Sequence, residues 1–387
     1  MTLWGFVVLL GIVSLLGDIT YEGARSILGP YLALLGAGAS VVGIVAGLGE
    51  FVGYTFRLIS GFISDKTKAY WPVTILGYFI NLFAVPALAL AKSWEMAALL
   101  ITLERAGKAT RVPPRDAMLS FAAKKTGRGW AFGVHEALDQ MGAILGPVLI
   151  SIVIFYGGGY RFSLGLLMIP ASMAFLVLLI AHKHYPAPNE LQIPLPTLNK
   201  SKLEKGYWCY ILAASALGAG YADFPLIAYH LKHTNLMLER YIPIIYAIAM
   251  ATDAISALLL GRLFDRHGIK ILPIVCFITA LFPPMVLLGT QNIVVLGMVI
   301  WGIGMGAQES ILRAQIANMV SPEKRATGYG IFYTAFGVSW FLGSATMGLL
   351  YDVSLPAVIA LSMLLQLFAG ILLWMRLGIL ERIFTSK

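Results

Sequence analysis

Long apolar runs recur along the chain and are separated by short polar segments. A helix that crosses a bilayer needs about 20 mostly apolar residues, and runs near that length repeat from one end of the chain to the other. The pattern predicts twelve membrane-spanning helices, numbered here as spans 1 to 12: 4–33, 39–63, 72–91, 95–118, 128–156, 161–182, 207–232, 239–263, 270–289, 293–319, 325–350 and 355–377. The predicted fold class is an all-α polytopic membrane protein, since a transmembrane barrel would show short alternating segments instead.

One polar interruption divides the spans into two groups of six. It covers residues 184–206, which contain several prolines and lysines and no apolar period, as is typical of a surface linker. We therefore predict an N-terminal six-helix half at 1–183 and a C-terminal six-helix half at 207–387. Basic residues such as Lys66 and Arg266 follow the even-numbered spans. The positive-inside rule then places both termini and the linker in the cytoplasm, and we expect the chain in the cell's cytoplasmic membrane.

The two halves share short motifs at a constant offset. The sequence GFISDK at 61–66 follows span 2, and GRLFDR at 261–266 follows span 8. Tyr21 and Tyr221 have the same offset of 200 residues in spans 1 and 7. Repetition at a fixed offset predicts a duplicated six-helix unit with two pseudo-symmetric halves.

These loop motifs resemble the signature of the major facilitator superfamily. That signature has the form G-x-x-x-D-[RK]-x-G-[RK]-[RK] between spans 2 and 3 and is echoed between spans 8 and 9. The second copy here, GRLFDRHGIK, keeps Gly268 and Lys270. The first copy departs from the pattern at 68–70, where Lys-Ala-Tyr stands in place of a glycine and two basic residues.

Span 5 contains a second family-like motif. Gly142-Ala-Ile-Leu-Gly146-Pro147 is similar to the G-x-x-x-G-P sequence of the antiporter branches of the same superfamily. The resemblance covers essentially the whole chain. Within the superfamily, the segments 104–116 and 129–147 resemble bacterial and archaeal exporters of drugs or metal ions.

The resemblance implies two six-helix halves around a central cavity, working by alternating access. It also implies that the aspartate of each signature loop faces the N-terminus of a helix in the other half, where the helix dipole favours a carboxylate. Small residues let helices approach closely in lipid, so the span 5 glycines suit plain packing as well as a gating hinge. The candidate gating residues are Gly61, Asp65, Lys66, Arg115, Asp116, Gly142, Gly146, Pro147, Gly261, Asp265 and Arg266.

Span 4 places ionisable residues at membrane depth. Glu104, Lys108, Arg111 and Arg115 follow one another at steps of four, three and four, a spacing that lines one face of a helix. Ionisable side chains inside a membrane are costly, and they usually face a polar interior or a partner. The proline pair at 113–114 predicts a break between these deep charges and the aqueous end of the span.

Spans 1 and 5 supply further ionisable groups. Asp18, Glu22 and Arg25 share one face of span 1, and His135 and Asp139 are four residues apart in span 5. A Glu22–Arg25 ion pair that only fixes the helix and a proton or substrate site both fit span 1. Because span 4 has an excess of bases and span 5 an excess of acids, we predict pairing between those two helices, with His135 as a titrating member.

A buried carboxylate that alternates between an apolar environment and a nearby cation can bind and release a proton. The proton-coupling candidates are Asp18, Glu22, Glu50, Glu104, His135, Glu136 and Asp139. The substrate and charge-network candidates are Arg25, Arg105, Lys108, Arg111, Tyr221, Asp223, Asp253, Glu309 and Arg313. Tyr221 fits an aromatic cavity wall or an ordinary apolar core, and the spacing of Glu309 and Arg313 predicts an ion pair.

Composition narrows the classes of function. Hydrophobic residues make up 59% of the 387 residues and charged residues 12%, with a mean hydropathy of +0.81, which excludes an ordinary soluble protein. The net charge of +9 fits basic cytoplasmic loops, so no nucleic-acid partner is expected. Cys209 and Cys276 form no metal-binding spacing, and the chain has no G-x-x-x-x-G-K-[ST] loop. We therefore expect no metal site, no cofactor and no ATP-driven step.

Together these features predict a secondary active transporter and not an enzyme, with proton-coupled export of a small molecule or ion by alternating access. The first alternative is a proton-coupled symporter that imports an organic anion, with Arg105, Lys108 and Arg111 as the anion site. A membrane sensor without transport is the other alternative. The expected partners are the substrate, protons and the lipid bilayer, and the expected oligomeric state is a monomer.

Overall fold

The computed structural model describes residues 3–122, 128–186, 205–320 and 325–385, and the regular structure of those residues is entirely helical. In chain order the α-helices are α1 Leu3–Arg25, α2 Leu28–Leu34, α3 Ala39–Thr67, α4 Tyr70–Ala87, α5 Trp94–Ala122, α6 Arg128–Phe155, α7 Tyr160–Leu166, α8 Met168–His184, α9 Lys205–Ala219, α10 Phe224–His233, α11 Ile242–His267, α12 Ile271–Thr279, α13 Phe282–Leu288, α14 Gln291–Ala307, α15 Arg313–Met319, α16 Arg325–Val353 and α17 Leu355–Thr385. Most of the predicted linker at 184–206 lies outside the described residues.

The all-helical prediction is confirmed. Within the described ranges, nine helical segments are long and apolar enough to cross a membrane, and one of them, Glu239–Leu288, has the length of two crossings. The two predicted spans outside these segments are α5, which is rich in ionisable residues, and α16. Several predicted spans consist of two helices with a short break. Pro225 and Pro283 each occupy the second residue after such a break, where a helix tolerates the missing N–H.

The chain divides into two compact units. Unit 1 comprises Met1–Ala37, Leu48–Leu195 and Leu231–Ala247. In it α1 packs along α6 and α8, and α4 packs along α5. A buried apolar cluster that includes Phe6 and Tyr78 fills the space among α1, α4 and α8. This packing fixes the helices that hold the charged residues described below.

Unit 2 comprises Gly38–Gly47, Pro196–His230 and Ile248–Lys387. In it α9 packs against α16 and α17, and α12 packs against α17. The chain is unwound between α9 and α10, which frees backbone carbonyls inside the unit. Side chains satisfy them, since the Ser362 hydroxyl donates to the Gly220 carbonyl at 2.5 Å and the Trp301 indole donates to the Ala222 carbonyl at 2.9 Å.

The predicted break at Pro113 and Pro114 is wrong, because α5 continues through both prolines to Ala122. A proline at position 114 cannot donate its usual hydrogen bond to the Thr110 carbonyl four residues earlier. The buried Ser60 hydroxyl on α3 donates to that carbonyl instead, at 2.6 Å. A side chain from the neighbouring helix thus replaces the lost backbone donor and lets α5 continue.

Candidate functional site

A ladder of polar contacts joins α1 to α5 inside unit 1. Its α1 residues are four apart and its α5 residues are three or four apart, so each set lies on one face of its helix. The three rungs join Glu22 to Lys108 at 3.8 Å, Asp18 to Arg111 at 3.7 Å and Ser14 to Arg115 at 3.0 Å. The rungs ascend α1 as they descend α5, so the two charged faces are antiparallel and aligned.

Glu50 extends the ladder to α3. Its Oε1 lies 3.2 Å from a guanidinium nitrogen of Arg25 and 3.2 Å from one of Arg105. Both arginines also donate a hydrogen bond to the Tyr21 hydroxyl, that of Arg25 at 2.9 Å. One carboxylate and one phenol therefore hold two arginines from different helices close together.

The Tyr21 ring lies beneath two cations. The Lys108 ammonium is 3.5 Å from the ring centroid and the Arg105 guanidinium is 4.9 Å from it. Cations over an aromatic face are attracted by the ring quadrupole, more strongly where water is excluded. In the sequence Tyr21 marks only the internal repeat, and in the structure it is part of the charge network.

Helix α4 contributes further partners to the network. The Arg111 guanidinium stacks 4.3 Å from the centroid of the Tyr78 ring. The Asn81 side-chain amide donates to Oε1 of Glu104 at 2.7 Å, and Oε2 of Glu104 lies 3.6 Å from Nε of Arg105. Glu104 and Arg111 are buried, so these partners replace water around their charges.

Tyr246 brings α11 into contact with the network. Its fully buried hydroxyl donates to Oε2 of Glu22 at 2.6 Å. The other oxygen of Glu22 faces Lys108. Glu22 therefore connects α1 to both α5 and α11. Glu22 and Tyr246 are 224 residues apart in the chain, so the sequence alone does not predict this contact.

The last rung of the ladder leads to α6. The Ser14 hydroxyl and Nε2 of the buried His135 are 3.4 Å apart. Arg115 also donates to Oδ1 of Asp116 at 2.8 Å. Asp139 is half-buried near this end, whereas Glu136 is exposed and accepts a hydrogen bond from the Gln140 side chain at 3.5 Å.

The predicted pairing of span 4 bases with span 5 acids differs from the structure. The bases of α5 pair with Glu22 and Asp18 of α1 and with Glu50 of α3. Glycines explain the arrangement, because Gly142 and Gly146 bring α6 directly against the α1 backbone. The contact at Gly142 includes Cβ of Asp18, whose carboxylate still reaches Arg111 on α5.

The remaining gating candidates of unit 1 lie at the end of α3. Asp65 accepts a hydrogen bond from the Tyr70 hydroxyl at 3.1 Å, and Lys66 is exposed, with its ammonium 5.8 Å from the Phe62 ring centroid. A Cβ atom added at Gly61 would lie 3.5 Å from Cβ of Pro113 on α5, an ordinary van der Waals distance. Pro147 is buried inside α6, which continues through it.

The candidates in unit 2 occupy several places. Tyr221 is fully buried and packs on Phe282, Trp301 and Trp340. The Trp340 indole and the Ser344 hydroxyl each donate to Oδ2 of the buried Asp223 at 2.8 Å. These contacts give Tyr221 and Asp223 the surroundings of a packed core.

Other unit 2 candidates lie on α11 and near the end of span 10. Asp253 is buried, Asp265 and Arg266 are exposed near the end of α11, and Gly261 is half-buried one turn earlier. Glu309 lies within a π-helical turn, Gln308–Leu312, and Arg313 follows that turn. Turns of this kind recur at functional sites. Across the described ranges, no group of three or more His, Cys, Asp or Glu residues is placed to hold a metal ion.

Comparison with known proteins identifies the family. The family model of the Major Facilitator Superfamily matches residues 10–344, and again 206–382. An uncharacterized protein of Mycobacterium tuberculosis is 38% identical over 383 residues, which cover 96% of this chain and 92% of that protein. An uncharacterized MFS-type transporter of Methanocaldococcus jannaschii is 29% identical over 382 residues, covering 95% of this chain and 94% of its own length.

A solved structure shares the fold. The nucleoside transporter NupG superposes with a TM-score of 0.74 at 15% identity, covering 97% of this chain and 99% of NupG. The match to the family model spans most of the sequence. It confirms the expected twelve-helix fold, and it confirms that the protein is a transporter and not an enzyme. The chain belongs to the Major Facilitator Superfamily of multi-pass membrane transporters.

Proposed function

We propose that this transporter exports a small molecule or ion across the cytoplasmic membrane by proton-coupled alternating access. The observation that supports the proposal most is the three-rung ladder between α1 and α5, with Glu50 as its extension. Asp18, Glu22 and Glu50 are its proton-binding groups. Their partners are cations on α5, and Arg25 of α1 for Glu50.

Protonation of one of these carboxylates removes its negative charge and releases its cation. Breaking a buried ion pair on one side costs about 3–5 kcal/mol. Moving a two-state equilibrium from 1:99 to 99:1 takes about 5.5 kcal/mol. One or two protonation events therefore suffice to change which conformation is favoured. Glu22 is well placed to transmit the change, since it contacts both Lys108 on α5 and Tyr246 on α11.

The proposal includes the two six-helix halves at 1–183 and 207–387 and their cytoplasmic linker. The loop aspartates Asp65 and Asp265 act as latches at the cytoplasmic face. A carboxylate at the positive end of a helix contributes on the order of 0.3–2 kcal/mol. That energy biases the exchange between two states and does not prevent it.

The experiment begins with purified protein. Thermal-shift measurements at two pH values compare a cationic dye (ethidium), a metal ion (Zn²⁺) and an organic anion (benzoate). The compound that stabilises the protein is then loaded into proteoliposomes that contain a pH-sensitive dye. Under export by antiport, the compartment that the compound leaves becomes acidic. If that compartment becomes alkaline instead, the protein is a symporter, and the antiport mechanism is refuted.

The variants Asp18→Asn, Glu22→Gln and Glu50→Gln test the assignment of the proton groups. Each is expected to reduce proton movement coupled to the transported compound. Glu95→Gln is the control, because Glu95 is an exposed acid at the start of α5, the helix that supplies the cations of the ladder. If all three network variants kept the proton flux of the Glu95→Gln control, the ladder would not be the coupling element.

A further inference from the structure

A pocket opens between α3 and α5 beside the charge network. Three cations and one carboxylate line it, namely Arg57, Arg105, Lys108 and Glu50. It is a narrow recess that is partly open to solvent, and the space among its side chains with that open part included is about 250 Å³. Its charged lining therefore has a formal surplus of positive charge, which a small anion would balance.

The carboxylate in the wall does not neutralise this surplus. Glu50 is already shared by Arg105 and by Arg25, at 3.2 Å from each. Arg57 lies seven residues beyond Glu50 on α3, which is about 10 Å along the helix axis. Within the described ranges Arg57 has no ion pair, and its buried Nε has no hydrogen-bond partner.

The other parts of the pocket are suited to a small planar body. The Tyr54 ring lies beside Arg57, with its centroid 5.7 Å from the guanidinium carbon. Gly53 stands between Glu50 and Tyr54, and a Cβ atom added there would meet nothing within 4 Å. The Lys108 ammonium approaches the carboxylate of Glu22 only to 3.8 Å, and its long flexible side chain can turn toward an incoming anion.

We infer that this pocket binds the transported substrate and that the substrate is a small organic monoanion. Its carboxylate lies on Arg57, whose planar guanidinium can donate two parallel hydrogen bonds, and Lys108 supplies the second cation. Its apolar body lies over Gly53 and against Tyr54. Glu50 disfavours a second negative group on the same molecule. This inference rests on the proposed transport function but not on the direction of transport.

The pocket differs from the anion site that the sequence suggested. That site used Arg105, Lys108 and Arg111. Arg111 lies outside the lining of the pocket, because Asp18 and the Tyr78 ring hold it. Arg57 takes its place, since it alone among the lining cations lacks a carboxylate within ion-pairing distance in the described chain.

The test uses the purified full-length chain and benzoate as the probe. We expect benzoate to raise the melting temperature, and the neutral benzamide, which has the same shape, to leave it unchanged. Arg57→Gln is expected to weaken benzoate binding at least tenfold. The absence of any benzoate effect up to about 10 mM, a very weak affinity, or equal binding by Arg57→Gln, would overturn the inference.

A second variant separates loss of binding from loss of folding. Gly53→Leu fills the pocket without removing a cation, and leucine favours a helix more than glycine does. We expect Gly53→Leu to abolish benzoate binding while the protein stays folded, as shown by an unchanged or raised melting temperature without ligand. Glu95→Gln is the control that keeps benzoate binding. A folded Gly53→Leu variant that binds benzoate normally would refute the site.

Two further measurements complete the test. The first distinguishes a soluble substrate from a lipid headgroup, and the second distinguishes a failure of this site from a failure of the proposed function. In nanodiscs, loss of benzoate binding when phosphatidylglycerol replaces phosphatidylcholine would show that a lipid headgroup occupies the pocket, and would refute a soluble substrate. Proton-coupled transport of another compound class without benzoate binding would refute this site and leave the proposed function intact. Benzoate binding at this pocket without any proton movement would refute the proton-coupled function and leave the binding site intact.

Discussion

The guanidinium of Arg111 lies 3.7 Å from the carboxylate of Asp18, and this contact is the middle rung between α1 and α5. Arg111 is only 1% exposed, and within the described chain its Nε and Nη1 have no hydrogen-bond partner. The Tyr78 ring covers the guanidinium but cannot neutralise it. The positive charge of Arg111 therefore depends on Asp18.

The first prediction concerns this pair. Asp18→Asn leaves the buried charge of Arg111 unpaired and is expected to destabilise the protein by about 3–5 kcal/mol. The double variant Asp18→Asn with Arg111→Met is expected to recover most of the loss, because replacing both partners of a buried pair is often nearly neutral. Thermal unfolding in detergent measures both. Strictly additive effects of the two substitutions would show that the pair does not interact.

An exposed ion pair provides the matched control. Lys232 and Glu239 are 3.0 Å apart, and the Glu239 side chain is 48% exposed. Glu239→Gln is expected to cost no more than about 1 kcal/mol, the usual upper value for an exposed pair. The difference between the stability losses of Asp18→Asn and Glu239→Gln then measures the effect of burying the ion pair.

The second prediction concerns the contact between α11 and Glu22. Tyr246→Phe removes the hydroxyl that donates to Glu22 at 2.6 Å. A hydrogen bond to a charged group contributes about 1.5–3 kcal/mol, so the melting temperature should fall. Coupled proton flux in proteoliposomes should fall as well if Glu22 transmits protonation to α11.

Tyr31→Phe is the matched control for this substitution. Tyr31 is also fully buried, and its hydroxyl donates to the Leu88 carbonyl at 2.5 Å. The acceptor of this hydrogen bond is a backbone carbonyl and not an acid. Loss of the Tyr31 hydroxyl should therefore lower stability and leave coupled proton flux unchanged. Equal losses of flux in both variants would assign no special role to Tyr246.

The sequence predicted the charged faces of the helices better than their partners. The steps of four, three and four along span 4 correctly placed Lys108, Arg111 and Arg115 on one helix face. The partners depend on how helices pack, which periodicity does not contain, and so the pairing with span 5 was predicted wrongly. Arg57 was missed as a site residue. Its charge is left unbalanced only because Glu50 pairs with Arg25 and Arg105, and the sequence does not show that pairing.

The proline pair shows the same limit at the level of the backbone. Rules for single helices predict that Pro113 and Pro114 interrupt α5. The Ser60 hydroxyl supplies the donor that the Thr110 carbonyl lacks, and Ser60 lies on a different helix. A tertiary contact thus overrides a local preference, and one sequence offers no sign of it.

The third prediction tests that compensation. Ser60→Ala leaves the Thr110 carbonyl without its donor and is expected to cost about 1–3 kcal/mol. Pro114→Ala restores a backbone N–H four residues after Thr110. In the Pro114→Ala background, Ser60→Ala should therefore cost much less, which a double-mutant cycle in thermal unfolding would measure. An equal cost in both backgrounds would contradict the role assigned to Ser60.

The fourth prediction concerns the glycines that bring α6 against α1. A Cβ atom added at Gly142 would lie 2.4 Å from the Leu15 carbonyl oxygen, and one at Gly146 would lie 2.5 Å from that of Ile19. The contacting atoms are backbone, which cannot turn aside, so the helices must separate. Gly142→Ala and Gly146→Ala are each expected to cost about 1–3 kcal/mol through overpacking.

Gly133 is the matched control on the same helix. A Cβ atom there would meet nothing within 4 Å, so Gly133→Ala should raise stability by up to about 1 kcal/mol through helix propensity alone. The coupled proton flux then separates the two interpretations of the span 5 motif. If the glycines serve only for packing, flux should fall in proportion to the loss of folded protein. If they form a hinge, protein that remains folded should also lose flux, because a side chain at the hinge restricts the bending of α6.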